Sequence, residues 1–218
     1  MQQVRRSAGS TVLTKVVMAV TGLILVGFLV THVASNLTIF SGPEKINEYA
    51  AALRKVPALL WGARLVLLAS VVLHIWSAMR LARLANASRP VNYVRKKNQA
   101  STFASRSMKL TGVLVFAFII YHLLHFTTGN VHPDFRHGEV AANVIRGFQS
   151  PGAAIFYVVA MGAVGLHLAH GVWSVFQTLG VTNPRLQRIR QGLALLLALG
   201  IAGGFTLIPL AVLTGFLK

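Results

Sequence analysis

The residues of this chain that could do chemistry are its histidines. The sequence has eight of them, and six lie within long apolar segments: His32, His74, His122, His125, His167 and His170. The other two, His132 and His137, fall in a polar loop where solvent accounts for them. A single histidine in an apolar segment is more often a core residue bonded to a neighbouring helix than a ligand. A set spread over four segments instead indicates a shared function, because polar groups in apolar surroundings are costly.

The composition excludes several classes of chemistry. No cysteine is present, which rules out disulfides, thiolate zinc sites, cysteine-held iron–sulfur clusters and a cysteine nucleophile. The four acidic residues, Glu44, Glu48, Asp134 and Glu139, are too few for carboxylate-rich metal sites. The chain is 55% hydrophobic and only 11% charged, whereas an ordinary soluble domain is about 25% charged. Its 21 basic residues give a net charge of +17, but they punctuate apolar runs, so a lipid bilayer is a better partner than nucleic acid.

Five apolar segments are long enough to cross a bilayer, which takes about 20 residues per helix. They are residues 12–34, 58–79, 110–128, 152–177 and 191–217. The predicted fold is therefore all-α, an integral membrane bundle of five transmembrane helices in a single domain over residues 1–218. The first segment is too long for the apolar region of a signal peptide, so we expect it to remain as a span. Arg64 lies in the opening turns of the second, where an arginine can snorkel to the headgroups or meet a buried anion.

The distribution of basic residues predicts the orientation of these spans. The N-terminal tail, the loop between the second and third spans and the loop before the fifth carry fourteen of them and no acidic residue. The opposite side carries the other seven together with all four acidic residues. The N-terminus is therefore predicted to be cytoplasmic and the C-terminus external. The loop from Arg80 to Lys109 holds eight basic residues, which would also suit an acidic partner or anionic lipid.

The intramembrane histidines sort into two layers by depth. At the helical rise, His32 and His122 lie about 5 and 9 Å from the outer ends of the first and third spans. By the same rise, His74 and His167 lie about 24 and 22 Å inward along the second and fourth, so the layers are about 15 Å apart. One imidazole from each of two helices at one depth is the geometry of bis-histidine haem binding. Zinc is disfavoured, because each layer offers two nitrogens and no thiolate or carboxylate.

An internal repeat supports the choice of ligands. The pattern M-x-x-T-G-x9-H occurs at residues 18–32 and again at residues 108–122, in the first and third spans. These are the two spans proposed to share the outer layer. The repeat therefore selects His122 as the ligand over His125, which lies one turn further out.

The repeated glycines and the remaining polar residues are candidates for secondary contacts. Gly22 and Gly112 come ten residues before their histidines, where a missing side chain would leave room for the edge of the inner macrocycle. Ordinary close helix packing is the alternative. His170 and His125 are each one turn from a ligand and could bond a haem propionate or a quinone, or simply make a packing contact. Arg64 is the first choice for a propionate or quinone contact, with snorkelling as the alternative.

Several stretches of the chain carry a family resemblance. They are Thr21-Gly22 with His32, residues 104–112 with Tyr121-His122, residues 144–148, residues 156–159 and, most specifically, GLHLAHGVWS at residues 165–174. With these, nearly the whole chain resembles the cytochrome b membrane-anchor subunit of succinate dehydrogenase and fumarate reductase. The resemblance is to the kind with five spans, one polypeptide and two b haems.

The resemblance implies a function and a set of ligands. It implies that His32 and His122 are the axial ligands of an outer haem b, and His74 and His167 those of an inner haem b. It further implies a flavoprotein subunit and an iron–sulfur subunit on the cytoplasmic face, a membrane quinone that we expect to be menaquinone, and a bacterial cytoplasmic membrane. Some dihaem fumarate reductases carry a glutamate, implicated in transmembrane proton movement, where this chain has Gly165. A carboxylate proton path at that helix is therefore not expected.

Two other functions remain open at this point. One is the haem b anchor of another quinone-linked oxidoreductase, of the hydrogenase or formate dehydrogenase type. The other is a haem-free membrane transporter that uses buried histidines as a proton relay. In the haem-binding interpretations a quinone site near water is also needed, and the polar groups within reach of the outer layer are Arg64, Glu44, Glu48 and His125.

Overall fold

The chain is helical throughout the part that the structure describes. The computed structural model describes residues 2–88, 102–181 and 183–218, with side chains from residue 11 onward. These residues form seven α-helices and two 3-10 helices, and the predicted all-α class is confirmed. The α-helices are α1 Gln2–Leu37, α2 Pro43–Arg54, α3 Pro57–Ala87, α4 Phe103–Phe126, α5 Val140–Phe148, α6 Pro151–Thr178 and α7 Gln187–Leu213. The 3-10 helices are Thr38–Ser41 and Pro184–Leu186.

Five helices are long and apolar enough to cross a membrane, as the sequence predicted: α1, α3, α4, α6 and α7. Their ends differ from the apolar segments for local reasons. The fourth helix begins at Phe103 because the Thr102 hydroxyl accepts a hydrogen bond from the backbone N–H of Ser105 at 3.1 Å, which caps the first turn. The last helix ends at Leu213 because Gly215, with φ +74°, turns the chain out of the helix.

Part of the basic loop between the second and third spans lies outside the described residues, namely Arg89, Arg95, Lys96 and Lys97. One basic residue on the same predicted side has a structural role instead. Arg190 is buried at the start of α7, where its guanidinium donates to the carbonyls of Val181, Asn183 and Leu186. It therefore ties the turn that precedes α7 to the helix, rather than presenting a free charge to a partner.

The spanning helices pack in a defined order. The closest neighbours are α6 with α7, α1 with α3 and α4 with α6, and α1 also packs against α6 and α7. A buried apolar cluster joins α1, α6 and α7 and contains Val33, Met161, Val164, Leu168, Ala198 and Ile201. Within the described ranges, neither α1 with α4 nor α3 with α6 is among the closely packed pairs. The bundle thus leaves one separation between α1 and α4 and another between α3 and α6.

Two short helices that the sequence analysis did not predict cover one end of the bundle. They are α2 and α5, which lie on the side predicted to be external. They are too short to span a membrane, but one face of α5 is buried, and Asn47 on α2 joins the two by accepting the backbone N–H of Ala141 at 3.0 Å. A second apolar cluster forms beneath them, with Ile39, Ile46, Val144, Ile145, Phe148, Tyr157, Ile208 and Val212 among its members. We call α2, α5 and this cluster the external cap.

An ion network fastens the loop that leads into α5. The guanidinium of Arg146 donates to Asp134 and, at 2.8 Å, to Glu139. The hydrogen bond from Arg146, helped by the charge of Arg136, lowers the pKa of Asp134 below its ordinary 3.8, and the same bond raises the pKa of Arg146. Asn143 adds two hydrogen bonds to the backbone of Arg136, at 2.9 and 2.7 Å. The loop is therefore held by charge-assisted and neutral bonds together.

Replacing Arg146 with glutamine should lower the thermal unfolding temperature at neutral pH, because Asp134 and Glu139 each lose a charge-assisted hydrogen bond and keep only their ion pairs with Arg136. The folded-state pKa of Asp134 lies below 3.8, so its contribution is present above that pH and is lost as the pH falls through the lowered pKa. The difference in unfolding temperature between wild type and R146Q should therefore narrow in acid. Lys45→Gln, which removes an exposed ion pair within α2, is the control. A difference that stays constant into acid pH would contradict the assignment.

Candidate haem sites

The structure brings the four proposed axial histidines together in the pairs that depth predicted. His32 of α1 faces His122 of α4, with ring centroids 6.0 Å apart and ring planes at 79°. His74 of α3 faces His167 of α6, with ring centroids 6.4 Å apart and ring planes at 61°. The helices of each pair are the ones that do not pack on each other in the described part of the chain. Two facing imidazoles therefore stand across each separation.

These separations fit an iron held between two imidazoles. With a metal–nitrogen bond of about 2 Å, each ring centroid lies about 3 Å from the metal, so two axial rings are about 6 Å apart. Among the described residues, no group of three or more His, Cys, Asp or Glu side chains could hold a bare metal ion. A donor set of two nitrogens suits a metal whose other positions are filled by a macrocycle.

The ring nitrogens of His74 are in a defined hydrogen-bonding state. Its Nδ1 lies 3.1 Å from the carbonyl oxygen of Met18 and 3.3 Å from the hydroxyl of Thr21. A carbonyl oxygen can only accept, so Nδ1 carries the proton and donates. The Nε2 atom of a neutral His74 then holds the lone pair that a metal requires.

The ring of His167 is held in the same way by the other half of the repeat. Its Nδ1 lies 3.3 Å from the hydroxyl of Thr111, which itself donates to the carbonyl of Ser107 at 3.1 Å or of Met108 at 3.3 Å. No hydrogen-bond partner of the predicted ligands could be assigned from the sequence, although a threonine precedes each repeated glycine.

The repeated glycines face the inner imidazoles. A Cβ atom at Gly22 would lie 3.3 Å from Cε1 of His74, and one at Gly112 would lie 3.6 Å from Cε1 of His167. The close approach of a histidine ring is thus a reason for glycine at both positions, besides the room for a macrocycle edge that the sequence predicted. At Gly165 a Cβ would instead meet Ala202 of α7 at 3.3 Å, so that position faces a packed helix.

His122, a predicted outer ligand, shares a hydrogen-bond partner with His125. The hydroxyl oxygen of Tyr157 on α6 lies 3.4 Å from Nδ1 of His122 and 3.1 Å from Nδ1 of His125. A phenol has one proton, so Tyr157 donates to one imidazole and accepts from the other. His125 is buried, with 1% of its surface exposed, and it packs beside the outer pair rather than within it.

A cavity of about 400 Å³ lies on the outer side of His125. Its lining includes Tyr121, Asn130, His132 and Ser150 together with His125. The His132 ring is turned to the protein, because its Nε2 lies 2.8 Å from the carbonyl oxygen of Asn143. The cavity thus brings polar groups next to the outer pair under the external cap. His132, which the sequence analysis left to solvent, is one of its walls.

His32, the other predicted outer ligand, has mainly aromatic neighbours. Phe28 stacks on its ring at a centroid distance of 5.0 Å, and Phe205 of α7 lies 5.4 Å away. The side-chain amide of Asn36, one turn further along α1, donates to the carbonyl oxygen of His32 at 2.8 Å and lies 3.3 Å from its ring Nδ1. This ring is therefore held by aromatic packing and by an amide of its own helix, whereas the other three are held by hydroxyl groups of neighbouring helices.

The remaining predicted contacts lie further from the paired rings. The ring of His170 lies 5.7 Å from that of Trp173, one turn further along α6. The indole Nε1 of Trp173 is buried and has no hydrogen-bond partner among the described residues, which makes it a donor available to an anionic group. Arg64 is exposed and its guanidinium lies 4.9 Å over the ring of Trp61 on the same helix.

The fold and site together define a multi-pass membrane protein with paired intramembrane histidines. The chain matches the family described as succinate dehydrogenase/fumarate reductase transmembrane subunit over residues 85–207, more than half of its length. It therefore belongs to that family, and it is a multi-pass bacterial membrane protein.

A curated relative agrees with this membership. The chain is 23% identical over 184 residues to the succinate dehydrogenase cytochrome b558 subunit of Bacillus subtilis (strain 168). The aligned region covers 83% of this chain and 87% of the relative. No solved structure matches the chain. The family match favours the succinate dehydrogenase interpretation over a hydrogenase-type anchor or a haem-free transporter.

Alanine at position 22 should disturb the inner pair more than alanine at position 112. The added Cβ would be 3.3 Å from His74 in the first case, which forces the ring to shift, but 3.6 Å from His167 in the second, which is ordinary contact. Gly27→Ala, on the same helix as Gly22 and with nothing within 4 Å, is the control. Thermal unfolding and b-type absorbance per chain measure the effect. Equal behaviour of all three variants would show that ring approach does not require glycine.

Proposed function

We propose that this chain is the dihaem cytochrome b anchor of a succinate:quinone oxidoreductase and carries electrons between an iron–sulfur subunit and a membrane quinone. The observation that carries the proposal is the two facing histidine pairs, at 6.0 and 6.4 Å, across helices that do not pack on each other. Haem b, when bound, supplies a one-electron couple at each position. The name of the relative, a cytochrome b558 subunit, supports a b-type haem.

The chain's own residues would hold and insulate the two groups. His32 and His122 would bind the outer haem and His74 and His167 the inner one, in each case through Nε2. The surrounding apolar helices exclude water from both positions, which prevents side reactions. His170 and Trp173, two donors near the inner pair, would contact the propionates of the inner haem.

The predicted orientation places the inner pair near the cytoplasm. In that orientation the flavoprotein and iron–sulfur subunits of the complex would dock on the basic face. The described basic residues on that side that are not buried are Lys15, Arg80, Arg83, Arg106, Lys109, Arg185 and Arg188. No acidic residue accompanies them on this side, so the surface suits an acidic partner.

The quinone headgroup would bind in the cavity beside His125. If His122 binds iron through Nε2, its Nδ1–H donates to Tyr157, and Tyr157 in turn donates to Nδ1 of His125. His125 is then left with Nε2–H, a donor that suits a quinone carbonyl. The cavity also lies at the predicted external end, where protons can exchange with water. Extraction and analysis of the quinone from the purified complex would test our expectation of menaquinone.

Replacing any one of the four axial histidines with alanine should lower the haem content from two to one per chain. The expected losses are the outer haem for His32 and His122 and the inner haem for His74 and His167. Haem b per purified chain, measured by pyridine haemochrome, gives the stoichiometry, and the haem that remains shows that the variant is folded. His137→Ala, in the exposed loop, is the control. Two haems retained in any of the four variants would exclude that residue as a ligand.

Co-purification separates the proposal from its alternatives. We expect a flavoprotein and an iron–sulfur protein to accompany the chain from gently solubilised membranes. A partner that holds a nickel or molybdenum cofactor would instead indicate a hydrogenase or formate dehydrogenase anchor. The absence of a b-type band in the reduced-minus-oxidised spectrum would support the transporter.

If Arg64 contacts a propionate of the outer haem or the quinone, Arg64→Leu should lower outer haem content or quinone turnover. Arg64→Lys keeps the charge and should lose less, and Arg54→Leu, in α2, is the control. Difference spectra and quinone reductase assays measure the two effects. Unchanged spectra and turnover would leave Arg64 as an interfacial residue that stacks on Trp61.

A further inference from the structure

We propose that Thr21 and Thr111 are positioning residues that fix the tautomer of the two inner ligands. Their hydroxyl groups hold His74 and His167 with Nδ1 protonated, so that Nε2 of each ring is kept for the metal. The inference rests on the proposed inner haem pair. Beyond that pair, the inference names the hydroxyl groups that orient the two imidazole rings.

The two contacts have the same geometry. The distance from hydroxyl oxygen to Nδ1 is 3.3 Å for Thr21 with His74 and 3.3 Å for Thr111 with His167. Both threonines are buried, with 5% and 3% of their surfaces exposed. Water therefore does not compete for these hydroxyl groups. The side chain that each hydroxyl group contacts is the imidazole of the histidine.

The direction of each bond follows from the single proton of a hydroxyl group. Thr21 donates that proton to the carbonyl of Val17 at 2.7 Å, one turn back on its own helix. Thr111 donates to Ser107 at 3.1 Å in the same way. Each threonine oxygen then has only lone pairs left for the histidine, so Nδ1–H must donate. For His74 the carbonyl of Met18 requires the same direction independently.

Each threonine–histidine hydrogen bond joins two helices that pack on each other. The two inner rings face each other across α3 and α6, which do not pack closely in the described structure. The threonine of α1 holds the histidine of α3, and the threonine of α4 holds the histidine of α6, and both are packed pairs. The glycine that follows each threonine lets the ring come close. Each inner ligand is thus fixed from behind by a packed neighbour and directed into the separation between α3 and α6.

This arrangement gives the repeat T-G-x9-H a single physical meaning. Its Thr-Gly pair positions a ligand of the inner layer, and its histidine supplies a ligand of the outer layer. The ten residues from glycine to histidine span about 15 Å of helix, which matches the separation of the layers. The same sequence element therefore acts at two depths, once on α1 and once on α4.

Removing the hydroxyl groups should change the inner haem and leave the outer one as it was. Donation from Nδ1–H makes an imidazole a stronger ligand and favours the ferric state. Thr21→Val and Thr111→Val nearly keep the size of threonine but remove the hydroxyl acceptor, so the midpoint potential of the inner haem should rise. The rise should be larger for Thr111→Val, because the carbonyl of Met18 still accepts from Nδ1 of His74 in Thr21→Val. The ferric electron paramagnetic resonance signal of that haem should shift as well. The inner haem is identified as the one missing from His74→Ala.

Two further variants control for side-chain shape. Thr206→Val, on α7, removes a hydroxyl that donates to Ala202 at 2.7 Å with the same one-turn geometry, and it should shift neither potential. Thr21→Ser keeps the hydroxyl and should keep the wild-type potential. If Thr21→Val loses the inner haem altogether, retention of that haem by Thr21→Ser supports the inference, and its loss from Thr21→Ser as well overturns it.

The outcomes separate this inference from the proposed function. Two haems bound with both potentials unchanged in Thr21→Val and Thr111→Val would overturn the role of the threonines and leave the dihaem function standing. Fewer than two haems in the wild-type chain would overturn the dihaem function, and the inference with it. An equal shift of both haems would show a general change of the bundle, which also overturns the inference.

Discussion

The arrangement of this bundle depends on one constraint: a polar ring inside the hydrocarbon must find a hydrogen-bond partner within the protein. For His74, His122 and His167, one neighbouring helix supplies the hydrogen-bond partner and another supplies the facing ring. Packed pairs, α1 with α3 and α4 with α6, supply hydroxyl and carbonyl partners to the imidazole Nδ1 atoms. Pairs that are not packed supply the facing rings. Satisfying the second nitrogen of each ring thus orients the first toward the space where a metal would be held.

The hydrogen-bond partners of the histidine rings differ between the inner and the outer layer. The threonines of the inner layer donate hydrogen bonds to carbonyl groups of their own helices, so the chain of hydrogen bonds ends there. In the outer layer Tyr157 bonds both His122 and His125, and His125 lines a cavity next to the external cap. Through Tyr157 and His125, the outer layer is therefore joined by hydrogen bonds to a polar cavity. This asymmetry suits the proposed function, in which electrons pass through the inner position but meet a proton-exchanging quinone at the outer one.

The sequence was sufficient for the features that follow from hydropathy and helical rise. Segment length gave the five spans, and depth along them paired His32 with His122 and His74 with His167. It was insufficient where helix rotation decides, because the partner of an imidazole depends on which face a neighbour presents; Thr21 and Tyr157 were therefore not assigned. The short helices of the external cap were missed because neither can span a bilayer. Arg190 was counted only among the basic residues of its loop, although its buried guanidinium donates to carbonyls of the turn that precedes α7.

The repeat in the first and third spans has a counterpart that sequence comparison could not reveal. On α6, Tyr157 lies ten residues before His167, so this helix carries a hydrogen-bond partner for the outer layer and a proposed ligand of the inner one. Its packed neighbour α4 carries the converse, a partner for the inner layer in Thr111 and a proposed outer ligand in His122. Each helix of this pair therefore holds the other's histidine. The corresponding position on α3 is Arg64, ten residues before His74, and it stacks on Trp61. The exchange between α1 and α3 is thus one-sided, since α1 positions His74 of α3 while its own His32 is held by aromatic packing and by Asn36 of the same helix.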